Sequence, residues 1–259
     1  MNPIEQFEQE RRDRLQAYGT DRAFSDLSTA WLQESMRRKY VYNFDWMGRP
    51  IIQYPQDMVA VQELIWSVRP DVVIETGIAH GGSLVLSASM LALLDMVDAM
   101  NNGTMLDPRV SSRKVIGVDI DIRPHNRAAI EAHPMASRIR MVQGSSVDPH
   151  VVEQVRELAQ GARRVMVFLD SMHTHDHVLA ELRAYAPMVT PGSYCVVFDT
   201  FVEDMPGKFF SDRPWDVGNN PKTAVRQWLA DQPEFEVDAS WQRKLMVTVA
   251  PEGFLRRKD

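Results

Sequence analysis

The strongest constraint on this chain is a recurring pattern. Short apolar runs, several ending in an acidic residue, mostly alternate with helix-patterned stretches. Such runs fall at Val72–Glu75, Val115–Asp119, Ile139–Val142, Val165–Asp170, Tyr194–Asp199 and Leu245–Val249, with a weaker one at Phe235–Val237. Helical segments at Ser83–Met100, Arg127–His133, Val151–Ala159 and His177–Ala186 separate most of them. Parallel strands need a crossover, usually a helix, so the alternation predicts a doubly wound α/β sheet. The last two strands are the exception. "DASWQRK" between them is too short for a crossover, so they are expected to pair antiparallel as a hairpin.

Ahead of this core, Pro3 to Tyr40 reads as helical with a break near "YGTDRAFSD", and Phe7, Leu15, Phe24, Leu27 and Trp31 supply packing faces. "YNFDWMGRPIIQYPQDM" reads as an ordered irregular loop. A helix is expected from Asp57 to Val68, with Asp57 as its N-cap and Pro70 beyond its end. The chain therefore divides into an N-terminal helical extension and loop, 1–56, and a main domain, 57–259. The extension suits a cap over a site, an oligomer contact or a layer on the core, and a homo-oligomer is expected. "MVDAMNNGTMLDPRVSSRK" reads as an exposed insertion in the first crossover.

The net charge of -6 gives no general support for nucleic-acid binding. The only cysteine, Cys195, lies in the apolar run "SYCVVF" and reads as core; no intrachain disulfide is available, which fits a cytoplasmic protein. The N-terminus has no apolar signal-like region, and no run is read as approaching the roughly 20 apolar residues of a membrane span. No membrane partner is expected.

In open parallel sheets ligands bind beyond the C-terminal strand ends. The first strand runs into "ETGIAHGGS", which departs from the G-x-G-x-x-G order of a dinucleotide fingerprint. Its leading carboxylate, Glu75, would face a pyrophosphate unfavourably but suits an ammonium group. S-adenosylmethionine carries one and has no phosphate. Gly77 would allow close backbone approach, Gly81 and Gly82 the turn into the helix, and Ser83 is expected among the cofactor-binding residues. Asp119, ending the next strand, suits ribose hydroxyls, a device that NAD enzymes share. Ser145 and Ser146 in "QGSSVD" could edge an adenine pocket or simply form a turn. His80 reads as a turn residue.

On the acceptor side, "FLDSMHTHDHVLAEL" places Asp170, His173, His175, Asp176 and His177 just after a strand. Helix capping explains one or two of them. A strand-end Asp with a following His can bind a metal or act as an acid–base pair. Asp170 and Asp199, at neighbouring strand ends, are the natural pair for a hard, oxygen-liking ion. The irregular segment Phe201–Pro221 reads as a lid or binding loop whose Phe209, Phe210 and Trp215 stack on a sugar face, close over the cofactor or fill a local core.

The sheet layout resembles class I methyltransferases, which are Rossmann-like. The blocks "GRPIIQYPQD", "IETGIAHGGS", "GVDIDIRPHNR", "GSSVD", "LDSMHTHDHVLAEL" and "VTPGSYCVVFDT" resemble the cephalosporin hydroxylase family over about Tyr42 to Val249. Its members resemble S-adenosylmethionine- and metal-dependent O-methyltransferases, several acting on sugars. The resemblance implies Glu75 and Gly77 at the methionine end, Asp119 at the ribose, and Gln53 and Tyr54 as a wall. It implies a divalent ion, usually magnesium, beyond the fourth and fifth strands, and His173 as base, with His175 and His177 as fallbacks. Similar enzymes carry two adjacent acidic residues at the fifth strand end; here the pair reads Phe198 and Asp199. Either water fills the vacated place, or Glu203 or Asp204 reaches in, or metal binding is weak. The expected activity is methyl transfer to a sugar hydroxyl of a glycoside or glycosylated natural product. The alternatives are cephalosporin tailoring, an NAD-dependent oxidoreductase, and a non-catalytic cofactor-binding partner.

Overall fold

A computed structural model of the chain describes residues 2–259. Two helices open it, α1 (Pro3–Tyr18) and α2 (Arg22–Arg37). Asn2 starts α1 with a capping box to Glu5, and Asp21 starts α2 by accepting from the Phe24 N–H. The break between them lies where the sequence places it. α1 has no buried residue, while α2 buries Ser28, Leu32 and Ser35 along one stripe. The following loop contains a small antiparallel hairpin, β1 (Phe44–Trp46) and β2 (Arg49–Ile51). Its two-residue turn, Met47–Gly48, has positive φ at both positions, as a tight hairpin turn requires.

The helix α3 runs from Pro55 to Val68, and its N-cap is Tyr54, not Asp57. Asp57 lies inside the first turn and is 1% exposed. Its carboxylate accepts from the Thr248 hydroxyl and the Val249 N–H, so a long-range anchor takes the side chain that a local cap would have used.

Then the alternation begins: β3 (Val72–Thr76), α4 (Gly82–Asn102), β4 (Lys114–Asp119), α5 (Pro124–Glu131), β5 (Ile139–Gln143), α6 (Pro149–Ala159), β6 (Val165–Leu169), α7 (His175–Tyr185), β7 (Tyr194–Val197) and α8 (Pro221–Leu229). The chain closes with β8 (Phe235–Val237), α9 (Ala239–Leu245) and β9 (Phe254–Arg257). The seven-stranded sheet has the order β5-β4-β3-β6-β7-β9-β8. β3 to β7 are parallel, and β9 is antiparallel to both of its neighbours.

The antiparallel closure is as expected, but its last strand is not. Leu245–Val249 is no strand: Leu245 ends α9, and Val249 gives its N–H to Asp57. The segment expected to be a short link forms α9. Phe254–Arg257 enters the sheet instead, made possible by Gly253, whose carbonyl accepts from the Val197 N–H at 2.8 Å. A Cβ at Gly253 would lie 2.1 Å from the Val197 carbonyl oxygen.

The sheet carries a core on each face. On one face Val73, Met166, Phe168, Val196 and Phe198 meet α3 and α4. On the other, Val72, Ile74, Val167, Cys195 and Val197 meet α6, α7 and α8. This is the two-residue alternation of strands covered on both sides. Leu32, Val41, Ile51 and Tyr54 of the N-terminal region belong to the first core, so the extension is a layer continuous with it. The helix α4 is, against the sequence expectation, long and apolar enough to cross a membrane by length and composition alone. Its buried residues, among them Leu84, Val85, Leu91 and Leu94, form part of the core beside the sheet. The insertion after it is exposed from Gly103 to Val110. Arg113 and the buried Arg138 tie its far end to Asp95 on α4.

Candidate active site

The site forms where β3, β6 and β7 end side by side. Glu75, one residue before the end of β3, points to the α3/α4 face of the sheet, as the alternation from Val73 requires. It is 3% exposed. One carboxylate oxygen accepts from the Ser83 hydroxyl on α4; the other, Oε2, is buried without a partner. Burial pushes its pKa up to about 7, against the lowering effect of Ser83.

The loop beyond β3 is held by its neighbours. Gly77 has φ +90°, and a Cβ there would lie 2.0 Å from the Asp170 carbonyl oxygen. The glycine is therefore required for β3 and β6 to end together. Gly81 has φ +85°, and its Cβ would strike Ile130 of α5 at 2.4 Å. Asp119, at the end of β4, accepts from the N–H groups of Ile78 and Ala79 at 2.8 and 3.3 Å and from Asp121 at 3.0 Å. It anchors the loop, a role that the sequence reading missed. His80 offers its carbonyl to Arg49 of β2.

Asp170, just past β6, accepts from Gln53 Nε2 at 3.2 Å. Its pKa is raised well above the carboxylate range, first by burial and then by Asp199, Glu75, Glu181 and Asp57. So many acidic groups around one carboxylate make a pit that a cation would relieve. His173 Nε2 lies 3.0 Å from Asp199 Oδ2. One donor atom each from Asp170, His173 and Asp199 lie within 4.8 Å of one another. Two carboxylates and an imidazole nitrogen fit a divalent cation.

Phe198 is an apolar wall of the pocket that Glu75 and Asp170 also line. It continues the Val196 side of β7 into the core, 4% exposed, with its ring 6.0 Å from Phe168. Glu203 and Asp204 do not replace the missing carboxylate. Glu203 accepts from the Gly218 N–H and the Asn220 amide, and Asp204 pairs with the buried Lys222. His173 is the side chain found beside the two aspartates.

The remaining residues separate by contact. Tyr54 is fully buried, with its hydroxyl 2.6 Å from Ser35 and its ring among Trp31 and Tyr40. It joins α2 to α3, whereas its neighbour Gln53 reaches the site. Ser145 shapes the turn after β5 through its carbonyl, while Ser146 turns inward to His177 Nε2 at 3.0 Å. His177 also meets Ser171 at 3.1 Å, and His175 is held by Thr223 and Gln227 of α8 at 2.8 and 2.9 Å. Both histidines are thus engaged in hydrogen bonds to neighbouring side chains. In the segment Phe201–Pro221, Phe209 and Phe210 stack edge to face at 4.9 Å, with the Arg37 guanidinium of α2 5.2 Å from the Phe209 ring centre. Trp215 meets the His173 ring edge to face at 4.7 Å.

A seven-stranded sheet with a reversed last pair is the class I methyltransferase fold, and the relatives that follow make the chain an S-adenosylmethionine-dependent O-methyltransferase. The sequence model of the family "Rhamnosyl O-methyltransferase/CmcI" matches residues 38–258, and the chain belongs to that family. It is 28% identical over 236 residues to a rhamnosyl O-methyltransferase of Mycobacterium leprae, covering 88% of this chain and 91% of that one. A rhamnosyl O-methyltransferase of Mycobacterium tuberculosis is also 28% identical, over 86% of this chain and 84% of its own. Among solved structures, an apo structure of CmcI superposes with a TM-score of 0.55 at 18% identity, covering 84% of this chain and 77% of that one. CmcI with Mg and SAM gives 0.53 at 17% identity, covering 84% and 78%. These structures share the fold. Family membership sets aside the oxidoreductase alternative.

Proposed function

We propose that this protein transfers a methyl group from S-adenosylmethionine to a sugar hydroxyl of a glycoside or glycosylated natural product, assisted by a divalent ion, with magnesium as the first to test. The observation that carries this reading is the juxtaposition of Glu75, buried with an unpartnered oxygen, and the Asp170–His173–Asp199 cluster. The first suits an ammonium and the second a divalent ion. When bound, S-adenosylmethionine supplies an electrophilic methyl group, and the ion supplies positive charge that acidifies a nearby hydroxyl.

The chain's own residues do the rest. Glu75 holds the ammonium end, Asp119 the ribose and Ser145 and Ser146 the adenine edge, with Gly77, Gly81 and Ser83 shaping the loop between them. Asp170 and Asp199 hold the ion. His173 takes the acceptor hydroxyl's proton as the new oxygen–carbon bond forms and the sulfur–carbon bond breaks. Asp199 orients its ring, and Trp215 packs against it. A second reading of His173, as a third ligand to the ion, is favoured by the 4.8 Å grouping of donor atoms.

The names of the curated relatives make rhamnosides the first acceptors to try. The test is methyl transfer to a glycoside library, scored by mass, with magnesium and in excess chelator. Transfer to no glycoside, or undiminished transfer in chelator, would overturn the corresponding part of the reading. The reading also includes a homo-oligomer in the cytoplasm. Phe24, Leu27 and Trp31, exposed at helical spacing on α2, support association, and the single buried cysteine is compatible with a reducing compartment. Light scattering of the purified protein would show a monomer mass if association is wrong.

A further inference from the structure

Two side-chain acceptors lining one pocket are buried and have no hydrogen-bond partner: Glu75 Oε2 and Gln53 Oε1. Gln53 is 7% exposed. Ser83 and Asp170 line the same pocket, with Ile51, Phe168 and Phe198 as apolar walls. Buried polar atoms without partners are rare and costly, and two acceptors in one place call for a ligand that only donates. An ammonium is such a group, with three N–H bonds to give. A carboxylate alone would leave part of that capacity unused in an apolar setting. The other end of the Gln53 amide is already committed, since Nε2 donates to Asp170 Oδ2. That bond fixes which end of the amide remains for a ligand.

We infer that Gln53 is a binding residue for the α-ammonium of S-adenosylmethionine, its Oε1 accepting alongside Glu75 Oε2. The inference rests on the cofactor reading above and deepens it. Gln53 then becomes a side chain shared by the cofactor's amino-acid end and the Asp170 cluster. It comes from the loop before α3, far in sequence from both.

The test is isothermal titration of the full-length protein with two ligands. S-adenosylhomocysteine carries the ammonium; 5′-methylthioadenosine keeps the nucleoside and sulfur but lacks the amino acid. A hydrogen bond to a charged group, once lost, weakens binding by about tenfold or more. Gln53→Met, close in shape, should weaken S-adenosylhomocysteine by that factor and leave methylthioadenosine within about twofold. Gln53→Ala serves as the second variant, with circular dichroism confirming the fold of each. Equal loss for both ligands would mean that Gln53 only shapes the pocket, and no loss for either would mean that it does not bind; both overturn the inference. The underlying reading fails separately, if the wild-type protein does not bind S-adenosylhomocysteine or Glu75→Gln binds it as well as wild type.

Discussion

Glu75 joins the chemistry of the site to its stability. Its pKa of about 7 lies above the ordinary 4.5 because burial penalises the charge. For a carboxyl raised in this way, the folded state holds the proton over a range where the unfolded chain has lost it. Stability is therefore fully present below about 4.5 and falls as pH rises towards 7, levelling above. Asp57, also raised to about 7 by burial, adds to the same trend. Glu75→Gln should flatten part of the fall in melting temperature across this window; an unchanged slope would show that Glu75 is not the buried acid. An ammonium ligand prefers the charged carboxylate, so S-adenosylhomocysteine should bind more tightly as pH rises through about 7 and then level off. His173 gives a second expectation at this scale. A base contributes about 10²–10⁴-fold, so His173→Ala should lower kcat by at least about 10² with cofactor affinity retained. Magnesium affinity, measured on the same variant, separates base from ligand, because it falls only if the imidazole binds the ion. His175→Ala and His177→Ala should act mainly on stability, since those rings are held by α8 and by Ser146 and Ser171.

At the scale of elements, the site depends on β3, β6 and β7 ending together. Gly77 sets that alignment. Its left-handed backbone and its 2.0 Å clearance to the Asp170 carbonyl leave no room for a methyl group. Gly77→Ala combines backbone strain with overpacking and should cost roughly 2–5 kcal/mol. A denaturation midpoint close to wild type would show that the strand ends can separate freely. The segment Phe201–Pro221 is held to its surroundings at several points. Arg37 of α2 approaches Phe209, and the side chain of Asn219 accepts from the His175 N–H at the start of α7. Glu203 accepts from Gly218 and Asn220, which explains why it does not reach the aspartates.

For the whole molecule, the N-terminal region divides by burial. α1 has no buried residue and packs on α9, whereas α2 contributes Leu32 and Ser35 to the interior. Deleting residues 2–20 should therefore change the unfolding free energy of the monomer by less than about 1 kcal/mol. Leu32→Ala should cost about 2–4 kcal/mol through lost burial and the cavity left behind. A large loss on deletion, read by chemical denaturation, would mean that α1 is stabilised by contacts beyond those within one chain.

Much of the architecture could be read from the sequence because the strands announce themselves. Val72–Glu75 and Val165–Asp170 are continuously apolar up to a polar end, and that is the condition for burial on both faces. Glu75, Asp119 and Asp170 were legible for the same reason, as acidic residues at the ends of such strands. The tertiary structure decided what depends on partners distant in sequence. Leu245–Val249 and Phe254–Arg257 both contain buried apolar residues, and only the approach of Gly253 to Val197 selects the second as the strand. Asp57 resembles a helix cap until Thr248 and Val249 reach it. Gln53 was legible only through the block "GRPIIQYPQD", as part of a wall; its bond to Asp170 appears only in the tertiary structure. Phe198 and Asp199 adjoin in sequence just past β7, yet Phe198 packs into the core while Asp199, with φ +55°, lies beside His173. A sequence gives the order and character of its side chains; direction and company come from register and packing, which involve the whole chain at once.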